Sequence, residues 1–191
     1  AAVQLARAGA EVHLYEMRPV NNTPAHKTDG FAELICSNSF KAERVASAAG
    51  LLKEEMSRFG SLCVECAKQT RVPAGGSLSV DRDAFSKLVT ERVEAEPNIT
   101  VHREEVKTLP QPGVDADVVV IAAGPLASDA LADDIRRLCK ETLDAKAAAH
   151  PEDPDAPKKM KSKKNTEGKT ALHFFDAVAP IVSGDSIDMT K

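Results

Sequence analysis

Apolar positions along this chain alternate between helical and extended periods, as expected of an α/β protein. Residues 1–8 (AAVQLARA) read as a helix, with Gly9 as its C-terminal stop. Val12-His13-Leu14-Tyr15-Glu16 follows as a strand that ends in an acid. Residues 19–39 are rich in Pro, Asn, Thr and Ser and read as a loop. Within residues 44–60, Leu51, Leu52, Met56 and Phe59 recur at helical spacing on one side, and Gly60 ends the helix. Residues 71–80 (RVPAGGSLSV) suggest short strands around a Gly75-Gly76 turn. Asp81 is placed to cap a helix over 82–95, in which Phe85, Leu88, Val89 and Val93 share a register. Pro97-Asn98 breaks it, and residues 99–106 alternate as a strand. Residues 117–123 (DVVVIAA) form a continuous apolar run, the pattern of a buried parallel strand. Gly124-Pro125 ends that run, and residues 128–139 are helical in pattern.

Composition then shifts. Residues 144–170 (DAKAAAHPEDPDAPKKMKSKKNTEGKT) combine prolines with a dense lysine cluster and almost no large apolar residues, so they cannot build a core. They are expected to be a flexible insertion between a main domain over 1–143 and a strand over 171–191 that starts a further domain. Lys158, Lys159, Lys161, Lys163 and Lys164 read as a solvated linker face or, alternatively, as a contact to a nucleic-acid backbone.

The overall composition narrows the class. At 42% hydrophobic and 28% charged residues the chain is globular rather than disordered. A net charge of −4 carries no global sign of nucleic-acid binding. Four scattered cysteines with no recognisable signal peptide favour a reducing cytoplasm over a disulfide scaffold. No apolar run approaches the roughly 18 residues that a bilayer span requires, so no membrane association is expected.

Two segments carry nucleotide-handling chemistry. Glu16, at a strand tip, is positioned to accept ribose hydroxyls, as in Rossmann-type units. Arg18 either balances cofactor phosphates or is simply exposed. Val120-Ile121-Ala122-Ala123-Gly124-Pro125 is a strand ending in small residues, which lets backbone approach a dinucleotide closely at Ala123 and Gly124. Cys36 lies in the polar run Glu33-Leu34-Ile35-Cys36-Ser37-Asn38-Ser39, about twenty residues after the acid, where substrate could reach a thiolate. Cys63 and Cys66 form a Cys-x-x-Cys just past a helix end, but no second pair completes a zinc site, so packing is the expectation and no metal is assigned. Cys139 reads as core. His26 alone among the histidines is loop-placed near the presumed cofactor, whereas His13 and His102 alternate within strands and read as structural.

A βαβ dinucleotide unit opens with a strand and a Gly-x-Gly-x-x-Gly turn about 20 residues before its acid. Only fifteen residues precede Glu16. The expectation is therefore a fragment that begins inside the first helix of its fold and is incomplete at both ends.

The stretches LYEMRPV, TPAHKTDGFAELICSNSFKAE, GLLKEEM, RVPAGGSLSVDRDAFS, NITVHREEV, IAAGPLASDAL and FFDAVAPIVSGDSIDM resemble, in order over nearly the whole chain, the folate- and FAD-dependent tRNA (uracil-5-)-methyltransferases, the TrmFO family. The related MnmG flavoproteins share the fold but not the Leu-Ile-Cys-Ser-Asn-Ser run. The resemblance implies a Rossmann-like FAD-binding fold of the glutathione-reductase type, a parallel sheet with flanking helices. It implies a cytoplasmic bacterial enzyme that uses 5,10-methylenetetrahydrofolate to methylate C5 of a T-loop uridine in tRNA. Reduced FAD is then the reductant and NAD(P)H recharges it. By the same resemblance Cys36 is catalytic, Glu16 is the ribose acid, Val106 meets the adenine through its backbone, and Gly124 falls in the second flavin contact. Two roles are open to Cys36: addition to C6 of the uracil, or handling of the methylene at the flavin. The isolated piece is expected to be inactive. The rival readings are an MnmG-like flavoprotein acting on another tRNA uridine and a non-catalytic remnant.

Overall fold

The computed structural model describes residues 1–124 and 127–149. They fall into two compact units, one spanning Ala1–Glu105 and the other beginning at Val106.

In the first unit, helix α1 (Ala2–Arg7) leads into strand β1 (Val12–Tyr15). Gly9 adopts φ +93°, and no neighbour lies within 4 Å of where a Cβ would stand. The glycine is thus required by the left-handed turn and not by crowding. β1 pairs in parallel with β5 (Ile99–His102), Val12 opposite Ile99 and Tyr15 opposite His102. The second sheet is antiparallel: β2 (Ser39–Ala42), β4 (Ser77–Val80) and β3 (Arg71–Val72) in the order β2-β4-β3. Three helices join these strands, α2 (Ala48–Arg58), α3 (Leu62–Gln69) and α4 (Arg82–Glu94). Each is capped by a side chain that accepts a free amide of the first turn: Ser47 from Gly50, Ser61 from Val64, Asp81 from Ala84.

The core joins α1, α3, α4 and both sheets through Val3, Ala6, Leu62, Cys66, Ala67, Leu78, Val80, Phe85, Val89, Val93 and Ile99. The α4 register read from the sequence is the observed one, with Phe85, Val89 and Val93 buried and Leu88 packed against the core. In the second unit, helix α5 (Asp129–Ala149) is the main element. Its start matches the expected helix, and it continues past Cys139 to Ala149, into the segment expected to be an insertion. The remaining residues of the 144–170 insertion, its lysine cluster and the 171–191 segment lie outside the described residues.

Four sequence expectations differ from the structure. The apolar side of α2 is not buried: Leu51, Leu52, Met56 and Phe59 are all exposed. α2 instead seats through Gly50, which meets the Arg44 backbone so closely that a Cβ there would overlap it. Residues 117–123 are not a strand, and Val118, Val120 and Ile121 are exposed. A strand exists only through a ladder with a neighbour, and among the described residues this run has none. β5 ends at His102 and not at Val106, the last ladder bond running from the Glu16 amide to the His102 carbonyl. Finally, Ser39–Ala42 is a strand inside what reads as loop, with an irregular register against β4 and Lys41 at φ +65°.

Candidate functional site

β1 ends where a nucleotide acid is expected, and Glu16 is held there on both carboxylate oxygens. Arg18 donates from its backbone N–H and Nε to Oε1, at 3.0 and 2.9 Å, and from Nη2 to Oε2 at 3.1 Å. Burial alone would raise the Glu16 pKa, but the Arg18 hydrogen bonds and charge outweigh it and hold the carboxyl below the usual glutamate range. Arg18 is not an exposed cation: it is 5% accessible. Its Nη1 donates to the Thr28 carbonyl at 3.1 Å and to Glu33 Oε2 at 2.9 Å. Two carboxylates therefore share one guanidinium, and little donor capacity is left for a phosphate.

Glu33 also closes its own loop. The Lys27 and Thr28 amides donate to its two oxygens at 3.0 and 3.3 Å. Arg103, just past β5, donates to the Arg18 and Asp29 carbonyls and lies over the Phe31 ring, 4.5 Å from its centroid. Ser86 and Thr90 on α4 bond the Phe31 carbonyl and amide, both at 2.8 Å. The segment between Glu16 and Cys36 reads as open loop in sequence, yet it is tied down from both sides.

Cys36 follows three residues after Glu33, exposed and outside any disulfide. Its carbonyl accepts from Arg82 Nη2 at 3.2 Å. The residues after it are stapled to β4: Asn38 Nδ2 donates to the Val80 carbonyl at 2.9 Å, and the Ser39 and Ser77 hydroxyls lie 2.6 Å apart. A reachable thiol thus rides on a fixed backbone. His26 bonds the Thr23 hydroxyl through Nδ1 at 2.6 Å, and burial, then the Arg18 charge, lowers its pKa.

The other thiols differ. Cys63 and Cys66 follow the end of α2, as expected, and lie within the first turns of α3. Cys66 is fully buried and Cys63 is exposed. Burial pushes the Cys66 thiol above the ordinary cysteine value. No cluster of three or more potential metal ligands occurs among the described residues. His13 and His102 contact across the parallel pair, Nδ1 to Nε2 at 2.9 Å, and Tyr15 stacks on His102 at 4.6 Å.

Val106, Ala123 and Gly124 belong to the second unit. Val106 is half-buried, Ala123 and Gly124 are exposed, and Gly124 adopts φ +66° with open space where a Cβ would stand. A shallow concavity of about 560 Å³ in the first unit is lined by Ala42, Glu43, Arg44 and Gly76, none of which the sequence nominates. Sequence reasoning missed Glu33 and Arg82. Each acts across a long separation in the chain, to Arg18 and to the Cys36 carbonyl, which no local pattern reports.

A parallel strand tipped by an ionised acid, within an α/β frame of flanking helices, defines the dinucleotide-binding class of fold. The profile described as Glucose inhibited division protein A matches residues 1–191, and the chain belongs to that family. Three similar relatives carry the name methylenetetrahydrofolate--tRNA-(uracil-5-)-methyltransferase TrmFO. The protein of Desulforudis audaxviator is 49% identical over 100% of this chain and 36% of its own length. That of Lactobacillus helveticus is 46% identical over 97% and 38%. That of Aquifex aeolicus is 46% identical over 100% and 36%. The chain therefore spans little more than a third of the curated relatives it matches. No helix among the described residues is long and apolar enough to cross a membrane.

Proposed function

We propose that this chain is part of a cytoplasmic enzyme that methylates C5 of a T-loop uridine in tRNA, with methylenetetrahydrofolate as carbon donor. The observation that supports this most is the identity of 49% across the full chain to a relative named for that reaction. Within the first unit, Glu16 fits the ribose of FAD. Glu16 is ionised, and its Oε2 accepts only one bond from Arg18, which leaves acceptor capacity for a ribose hydroxyl. Gly124 is open, so backbone there can approach a ligand. On this reading Glu16 holds the ribose, Val106 lends its backbone to the adenine, and Ala123 and Gly124 meet the dinucleotide. Arg18 orients Glu16 rather than binding phosphate. When bound, reduced FAD supplies the reducing equivalents that turn a methylene into a methyl group, with NAD(P)H as the recharging reductant.

Cys36 is the proposed nucleophile. Its thiolate adds to C6 of the uracil, a C–S bond forms, and the C5=C6 electron pair makes C5 nucleophilic toward the methylene. C5 bonds to the methylene carbon, the C5 proton is lost, and the carbon's bond to the folate nitrogen breaks with that nitrogen taking a proton. A hydride equivalent, which reduced FAD would supply, then completes the methyl group as the C–S bond breaks, the thiolate leaves and C5=C6 re-forms. Exposure of the thiol on a stapled backbone supports this role.

The test uses a chimera in which this chain replaces the segment it matches in the Desulforudis audaxviator relative. Methyl incorporation into an unmodified tRNA transcript is expected for the chimera and for Cys63→Ala, whereas Cys36→Ala should lose it while keeping its flavin absorbance. Methylation by Cys36→Ala at the unsubstituted rate would refute the assignment.

A further inference from the structure

The proposed chemistry needs the target nucleotide held while a thiol reaches its base, and one side chain beside Cys36 is free to do so. Most arginines of the first unit are committed to carboxylates. Arg7 holds Glu96, Arg18 holds Glu16 and Glu33, Arg58 holds Glu54, Arg71 holds Glu43, Arg92 holds Glu65, and Arg103 holds Glu94. Arg82 differs: among the described residues its bonding is to a neutral acceptor, the Cys36 carbonyl, at 3.2 Å through Nη2. That single bond leaves most of the guanidinium fork unused, on an exposed side chain.

Its backbone is anchored. Arg82 is the first residue of α4, whose entry is fixed by the Asp81 cap accepting the Ala84 amide at 2.9 Å. Of the flanking acids, Asp81 is thus engaged by the cap, and Asp83 is exposed. The Cys36 loop is bonded to the same β4–α4 junction through Asn38 and Val80. A guanidinium with no carboxylate partner among the described residues and an exposed thiol are therefore carried by one scaffold. A uridine presented to the thiol brings its own phosphates with it, and an arginine fork is matched to phosphate oxygens.

We infer that Arg82 binds a backbone phosphate of the tRNA at or next to the target uridine and so places the base against Cys36. This rests on the methyltransferase reading above and adds a substrate-binding residue to it. A phosphate contact differs from a structural anchor in one measurable respect. It releases counterions, so its loss lowers the dependence of binding on salt.

The experiment measures binding of an unmodified tRNA transcript to the chimera across a range of KCl concentrations, with methylation assayed in parallel. Arg82→Gln keeps a donor for the Cys36 carbonyl but removes the charge. The expected result is a log–log salt slope reduced by about one and a raised KM for tRNA. Arg82→Lys is expected to retain the slope. Arg58→Gln, which removes an equal charge on α2, is expected to leave it unchanged. An unaltered slope in Arg82→Gln overturns the inference even if methylation falls, since that is the mark of a structural anchor. If the unsubstituted chimera methylates tRNA while Arg82→Gln keeps its slope, only this inference fails. If the unsubstituted chimera does not bind tRNA, both fail.

Discussion

Arg18 Nη1 meets Glu33 Oε2 at 2.9 Å, with Arg18 buried and Glu16 bound to the other side of the same guanidinium. One cation thus joins the tip of β1 to the loop that carries Cys36. Arg18→Met would leave two largely enclosed carboxylates facing each other. Removing one partner of a buried ionic group costs about 3–5 kcal/mol. Glu33→Gln keeps an acceptor and should cost less, about 1–3 kcal/mol. Urea unfolding followed by circular dichroism tests the order, and a smaller loss for Arg18→Met than for Glu33→Gln would contradict the shared-cation geometry.

The Arg18–Glu16 pair sets a pH dependence. The folded pKa of Glu16 lies below its unfolded value. Its contribution to stability is therefore fully present above the ordinary glutamate value and is lost as pH falls through the lowered folded value. As pH drops below the ordinary glutamate value, stability of the unsubstituted chain should fall more steeply than that of Glu16→Gln. Parallel curves for the two proteins would remove Glu16 from the account.

Two phenylalanines separate pattern from packing. Phe59 is 82% exposed and Phe85 is 1% exposed, although each falls on a helical apolar period. Phe59→Ser should shift unfolding by no more than about 0.5 kcal/mol. Phe85→Ala should cost about 3–5 kcal/mol. Thermal denaturation of the two variants decides it, and a large loss at Phe59 would mean that α2 is covered in solution.

Gly50 is buried at the start of α2, against the Arg44 backbone. An added methyl there meets a carbonyl that cannot rotate away, so α2 must shift. Gly50→Ala should destabilise by about 1–3 kcal/mol, the reverse of the usual helix-propensity gain. Gly76→Ala, where no atom lies within 4 Å of a built Cβ, is the control with little change expected from crowding.

Much of this fold follows from local pattern. α1 with its Gly9 stop, β1 ending at the acid, the hairpin around Gly75 and the capped helix α4 are all legible, because caps, turns and periodicity act within a few residues. The run of Glu16, Cys36 and their neighbours also carries the family resemblance without any coordinates. Beyond that range the pattern misled. The apolar side of α2 and Val118, Val120 and Ile121 look like core but are exposed, because burial requires an opposing surface that no single segment encodes. Ser39–Ala42 looks like loop but pairs with β4, because a strand is defined by its partner. Sequence alone thus nominated the acid and the thiol by residue type and spacing. Only the tertiary structure revealed that Arg18 is enclosed between Glu16 and Glu33, and that Arg82 reaches Cys36 across the chain. Hydrogen bonds and ion pairs of that kind form between residues distant in sequence, and their geometry exists only once the backbone has folded.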